Sequence, residues 1–362
     1  MRAALLEAPN TDLIVVDDVQ IEKPDGRQIL VRVSHCGVCH SDLHVVDGGL
    51  PGMMPTVLGH EAAGVVEAVG EAVTELEAGD TVIMTLKAVC RRCYFCVRGQ
   101  PTLCASSNAL MPTGTPPLSR QGKPVYPGIG MGAFAEYVQI SVDAAVKVPD
   151  DTPTDIACVI GCAVQTGVGA VLNTAKVEEG ATVLVQGLGG VGISVIQGAR
   201  LAGASQIIAV DPFAERRDLS TKFGATTTLD PNDGDIVPKV MELTGGIGVD
   251  YAFDAVGNPK LVEAGVNANR PGGLTVAVGV PKMTDTYSIP ALFFAMGEKK
   301  VTGCFLGTSN PHLEFNRLLA LWRAGTLDLD GMVTSRRPLE EINEAFADMK
   351  AGKGIRTVLD LS

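Results

Sequence analysis

The run from Thr182 to Leu201 constrains this chain more than any other stretch. An apolar segment, Thr182–Gln186, leads into Gly187-Leu188-Gly189-Gly190-Val191-Gly192, and a helical pattern follows from Ile193 to Leu201. Strand, G-x-G-x-x-G and helix in that order permit a tight turn at Gly187, close backbone approach at Gly189 and close helix–strand packing at Gly192. The helix N-terminus then offers unpaired N–H groups to a phosphate. Asp211 closes the next strand candidate, where a carboxylate accepts ribose hydroxyls and repels a 2′-phosphate. The pattern predicts a dinucleotide site that prefers NAD over NADP, a preference that Arg216 and Arg217 temper.

Five more strand candidates alternate with helical stretches after Thr182: Gln206–Asp211, Thr226–Leu229, Val249–Asp254, Leu274–Val278 and Lys299–Phe305. That alternation predicts βαβ units and a doubly wound parallel sheet of six strands. The first 150 residues read differently. Short segments such as Ile29–Ser34, Ala63–Val69 and Thr81–Met84 are divided by Gly, Pro and Asp turns, as in a β-rich domain. A single core stops growing at roughly 250–300 residues, so 362 residues predict two domains. A helix near Glu340–Lys350 and a final strand Thr357–Leu361 belong to an end segment whose docking the pattern leaves open. Met111–Gly132, rich in Pro and Gly, reads as a long surface loop.

The net charge of -12 and the absence of any Lys/Arg run longer than two exclude a nucleic-acid footprint and an anionic membrane surface as partners. No stretch reaches the ~18 apolar residues of a membrane span, and Met1–Val16 lacks the features of a secretory signal. A cytoplasmic protein with a small-molecule partner is expected. In that reducing setting nine cysteines point to metal or chemistry rather than disulfides.

Cys90, Cys93, Cys96 and Cys104 form C-x2-C-x2-C-x7-C. Four thiolates on a short loop close a tetrahedral zinc site with no open position, which suits a structural role. An iron–sulfur cluster uses similar spacing but nothing else suggests electron transfer. The remaining chemistry lies in Gly37–His44, in Gly59-His60-Glu61 and in Gly161-Cys162. Cys39, His60 and Cys162 can meet as two thiolates and an imidazole, leaving zinc one position for substrate. Taken singly, each reads equally well as a core cysteine or a hydrogen-bonded histidine.

At these residues the chain resembles the zinc-dependent medium-chain alcohol dehydrogenases. The resemblance runs through GVCHSDLH ending at His44, Gly59–Glu61, the four-cysteine loop, Gly161-Cys162 with Gln165-Thr166-Gly167, the glycine loop, Asp211, and Gly354–Thr357. It implies a GroES-like β-rich catalytic domain over residues 1–163, a Rossmann NAD-binding domain over 164–305, and a segment 306–362 that returns to the catalytic domain. It implies two zinc ions per subunit, the catalytic one on Cys39, His60 and Cys162, the structural one on the four-cysteine loop, with Cys36 outside both. Asp42 is then the carboxylate that orients His60, and Glu61 a group beside the metal that takes part in exchange of its fourth ligand. His40 and Arg356 fall at the coenzyme pyrophosphate and Thr166 at the nicotinamide. Gly190, Val191, Arg216 and Val278 complete the expected cofactor contacts.

The implied reaction is hydride transfer between an alcohol and NAD. Its proton passes from substrate to Ser41, through the nicotinamide ribose, to His44, an imidazole suited to exchange with water. Matched positions put Leu50, Leu86 and Phe305 along the substrate pocket, so hydrophobic primary alcohols, aliphatic or aromatic, and their aldehydes are expected. Serine at position 41 leaves more room than threonine. Two related readings stand beside this one. A thiol-dependent formaldehyde dehydrogenase shares both zinc sites, although His44 and the apolar Leu50–Met54 loop argue against it; a nicotinoprotein would keep its NAD permanently bound. The resemblance also implies a homodimer or homotetramer joined through Lys299–Phe305.

Overall fold

The computed structural model describes residues 1–106 and 115–362. Parallel strands lie under helices on both faces, which favours continuous apolar runs, and Val183, Leu184 and Val185 are fully buried. Six strands build this sheet: Thr182–Gln186, Gln206–Val210, Thr227–Leu229, Val249–Asp254, Asn269–Ala277 and Lys300–Gly303. All five pairings are parallel. In space the third strand lies outermost, then the second, first, fourth, fifth and sixth. The order reverses beside Thr182–Gln186, and ligands bind at such a reversal. The strands fall where the sequence predicts, except that the fifth starts at Asn269 rather than Leu274, past a register shift between Val249 and Tyr251.

The β-rich part forms two further sheets. Its longest strand, Gln28–Gly37, shows the two-residue period of a strand: Ile29, Val31 and Val33 are buried and Arg32 is exposed. It pairs antiparallel with Glu61–Val69, with Gly37 opposite Glu61. The chain end joins the same sheet. Arg356–Asp360 pairs antiparallel with Gln28–Gly37, and Val333–Pro338 pairs parallel with Arg356–Asp360. The helix Ile342–Lys350 sets Phe346 edge-on to Phe134, with ring centroids 6.3 Å apart.

The expected loop over Met111–Gly132 is corrected in part. Residues 111–114 lie outside the described residues, but Leu118–Arg120 and Lys123–Pro127 form an antiparallel hairpin. Gln121 and Gly122 both take positive φ, 52° and 73°, as a two-residue turn of matching twist requires. Among the described residues no single helix is long and apolar enough to cross a membrane.

Where the two parts meet, the helix Ala163–Gly169 crosses the helix Gly190–Leu201. A Cβ on Gly167 would lie 2.4 Å from Ser194 Cβ and from Val191 O, so glycine permits the close crossing. One apolar cluster fills the β-rich part and reaches Cys39 and Cys162. Two others cover the faces of the parallel sheet.

Candidate active site

The strand Gln28–Gly37 delivers its last residue to a buried carboxylate. A Cβ on Gly37 would lie 2.2 Å from Glu61 Oε2, so only glycine leaves that space. Cys39 then precedes the short helix His40–Val46, which buries Asp42, Leu43, Val45 and Val46. Ser41 and His44, one turn apart on the same side, are half-buried, and His40 is exposed.

Asp42 Oδ1 accepts hydrogen bonds from the Gly59 N–H at 2.9 Å and from His60 Nδ1 at 3.1 Å. This commits Nδ1 and leaves His60 Nε2 buried with no hydrogen-bond partner. Ligand atoms of Cys39, His60 and Cys162 lie within 4.8 Å of one another. A buried imidazole nitrogen facing two thiols is the donor set of an open zinc site, with the carboxylate behind the imidazole that such ligands require. The neighbouring Cys162 Sγ draws the Cys39 thiol well below the ordinary range, against the opposing effect of burial.

Glu61 Oε1 accepts from the Ala163 N–H at 2.8 Å, and Oε2 lies 3.4 Å from Arg356 Nε. Burial pushes the Glu61 carboxyl up to about 7 against the opposing pull of Arg356. Arg356 also donates to Val38 O at 2.8 Å, and its guanidinium covers Gly190, where a Cβ would lie 2.3 Å from Nη2. One buried cation thus links Glu61, beside the Cys39–His60–Cys162 cluster, to Gly190 of the glycine loop. At Gly189 a Cβ would meet nothing within 4 Å, so the backbone there is open to a ligand. Asp211 Oδ2 accepts from the Leu188 N–H at 2.8 Å and Oδ1 from the Phe213 N–H at 2.9 Å. Thr166 and Val278 are buried, and the Thr166 hydroxyl has no partner. Val191 is half-buried; a Cβ on Gly192 would lie 1.7 Å from Gly187 O, and one on Gly187 2.3 Å from Val256 Cγ2.

The Sγ atoms of Cys90, Cys93, Cys96 and Cys104 also lie within 4.8 Å of one another. Cys90 to Cys96 and Cys93 to Cys104 are each 4.0 Å, close to the ~3.8 Å edge of a tetrahedron with Zn–S bonds of about 2.3 Å. Arg91, Arg92 and Arg98 among them are exposed. Cys36 is buried and belongs to neither set.

Leu50 and Leu86 are buried in the cluster that holds Cys39 and Cys162, whereas Phe305 is 45% exposed. The buried neighbour is Leu306, at φ 48°. Sequence patterning missed Leu306 because the left-handed run Leu306–Thr308 reverses which side chain turns inward. Lys282 was also missed: its stem lies near Gly49, beside His44. Its place depends on a contact between the two parts of the molecule, which no local pattern reports.

Comparison with known proteins agrees with this geometry. Residues 25–150 match the alcohol dehydrogenase GroES-like domain and residues 190–323 the zinc-binding dehydrogenase family. An S-(hydroxymethyl)glutathione dehydrogenase of Haemophilus influenzae is 38% identical over 366 residues, covering 99% of this chain and 96% of that protein. The crystal structure of benzyl alcohol dehydrogenase from Acinetobacter calcoaceticus superposes with a TM-score of 0.93 at 31% identity, covering 100% of this chain and 99% of its own. A zinc-binding-domain alcohol dehydrogenase from Burkholderia ambifaria gives 0.93 at 35% identity, with 100% and 98% covered. The chain belongs to the zinc-dependent medium-chain dehydrogenase/reductase family, with GroES-like and Rossmann-type domains. It is an oxidoreductase that uses zinc and a nicotinamide dinucleotide.

Proposed function

We propose that this protein interconverts hydrophobic primary alcohols, aliphatic or aromatic, and their aldehydes with NAD. The observation that carries the reading is the buried, unpartnered His60 Nε2 facing Cys39 and Cys162, across from an open glycine loop. Cys39, His60 and Cys162 hold the catalytic zinc, and Cys90, Cys93, Cys96 and Cys104 the structural one. When bound, zinc supplies Lewis acidity to an alcohol or carbonyl oxygen and NAD accepts or returns hydride.

The chain's own residues do the rest. Asp42 fixes the tautomer and orientation of His60. Ser41 Oγ, 3.9 Å from Cys39 Sγ, takes the substrate proton, and His44, one turn on, exchanges protons with water at the rim. Glu61, its charge balanced by Arg356, serves ligand exchange at the metal. Gly187, Gly189, Gly190, Val191 and Gly192 bind pyrophosphate with His40 and Arg356, Asp211 and Arg216 the adenosine ribose, and Thr166 and Val278 the nicotinamide end. Leu50 and Leu86, with Leu306 buried beside the exposed Phe305, line the pocket and exclude water. The catalytic domain is residues 1–163 with 306–362 returning to it, and 164–305 the coenzyme domain.

A second reading has its own support. The curated relatives at 36–38% identity are S-(hydroxymethyl)glutathione dehydrogenases, and Lys282 brings a cation to the rim beside Gly49, which suits an anionic thiol adduct. Zinc content per subunit, with NAD reduction by benzyl alcohol, a medium-chain alcohol, and formaldehyde with and without thiols, separates the two. Thiol-independent turnover of alcohols by a two-zinc enzyme supports the first reading; activity only with formaldehyde and a thiol replaces it with the second.

A homodimer or homotetramer built through the edge strand Lys300–Gly303 also follows, since the nearby Leu292, Phe293 and Met296 are 66%, 73% and 78% exposed. Light scattering at micromolar concentration tests it, and a monomer would refute it. The acidic chain suits the cytoplasm.

A further inference from the structure

A second seam joins the chain end to the coenzyme domain, far along the site from the metal. Gly352 is buried at φ 73°, and a Cβ there would lie 2.3 Å from the Phe213 ring. The ring therefore rests against bare backbone. Arg216, also buried, donates from Nε to Gly354 O at 3.1 Å, and its guanidinium carbon lies 5.4 Å from the Phe213 centroid. Behind these contacts the segment Gly352–Arg356 is fixed to its own domain. Thr334 Oγ1 accepts the N–H groups of Ile355 and Arg356 at 2.9 and 3.3 Å. The same segment ends in Arg356, which covers Gly190.

These residues flank the coenzyme site from its adenosine end to its pyrophosphate. Phe213 and Arg216 follow Asp211, whose carboxylate is held by the N–H groups of Leu188 and Phe213. Phe213 remains 37% exposed, so its contact with Gly352 is a light, separable one rather than part of a core. We propose that Phe213 against Gly352, with Arg216 on Gly354 O, forms an interdomain latch that controls how fast the dinucleotide leaves, with Phe213 and Gly352 as positioning residues. The proposal rests on the dinucleotide lying along Asp211 and the glycine loop. Release requires the seam to part, and contacts broken on release act mainly on the dissociation rate.

The test is stopped-flow displacement of NADH, followed by its fluorescence, on the zinc-loaded protein. Phe213→Ala is expected to speed release about tenfold with a much smaller change in association, and to weaken ADP-ribose, which carries the adenosine end, in parallel. Phe213→Tyr, which keeps the ring, should restore the wild-type rate. Gly352→Ala should act in the same direction; if that variant fails to fold, Phe213→Ala carries the test alone. An unchanged release rate in folded, two-zinc Phe213→Ala overturns the latch. Faster release with ADP-ribose affinity unchanged overturns it too, since the loss would then lie at the nicotinamide end. Failure of the wild-type protein to bind NADH at all would instead overturn the coenzyme assignment beneath it.

Discussion

Cys90, Cys93, Cys96 and Cys104 come from one loop and three of them are half exposed, whereas Cys39, His60 and Cys162 come from three distant segments and are all buried. The first set needs little from the rest of the fold, because fifteen residues of chain already hold the thiols at tetrahedral spacing. The second exists only through tertiary structure. Cys39 and His60 meet because Gly37 pairs with Glu61 in the sheet, and a one-residue slip would turn those side chains to the opposite face. Cys162 arrives by another route, in the turn before the helix Ala163–Gly169. Local assembly suits a staple, and long-range assembly suits a water-excluded pocket in which three ligands would leave a metal one position to spare.

The sharpest way to break this contrast is to remove one ligand from each set. Cys162→Ser should lower zinc from two per subunit to one and reduce turnover by roughly a thousandfold or more, with the circular dichroism spectrum unchanged. Metal analysis and NAD reduction measure both, and full activity with two zincs would refute the assignment. Cys104→Ser should also leave one zinc but act on stability. Because metal binding to such a loop is folding free energy, the melting midpoint should fall by roughly 5–10 °C while turnover at low temperature stays within about threefold. A large loss of turnover in the folded variant would mean that the loop is not merely a staple.

Asp42→Asn sharpens the comparison further, because only the buried set has a carboxylate behind its imidazole. Loss of such a partner typically costs about 10- to 100-fold in metal affinity. Competition with a chelator should release one zinc faster from Asp42→Asn and leave the other as in the wild type; equal retention of both would show that His60 is oriented without Asp42.

The same contrast explains what the sequence reveals. The glycine loop, the six parallel strands and the four-cysteine spacing are readable because each is a local pattern with few physical alternatives. Cys39, His60 and Cys162 carry no joint spacing, and their grouping came from family resemblance before the fold brought them together. Leu306, Lys282, Phe213 and Gly352 were invisible for a different reason. Leu306 turns inward through a left-handed backbone, and the others matter through contacts between domains, which hydrophobic periodicity does not encode. The loop expected over Met111–Gly132 contains a hairpin because strands of three to five residues, one with two prolines, fall below what an alternation pattern can register.

The smallest expected effect concerns the rim, where the buried centre meets water. His44 shares one helical side with Ser41 and stands beside Gly49 and the Lys282 stem, half-buried. If it passes the proton outward, its loss slows proton exit without disturbing zinc or coenzyme. His44→Ala should then reduce alcohol oxidation by about tenfold, at the low end for a proton-transfer group because water retains some access. Imidazole buffer should restore part of the rate in proportion to its concentration, and zinc content should remain two. A rate that ignores buffer would place the proton path elsewhere and leave His44 a packing residue. Buffer rescue in His44→Ala and none in Cys162→Ser would instead show that small molecules can replace a group at the rim of this site but not a ligand at its floor.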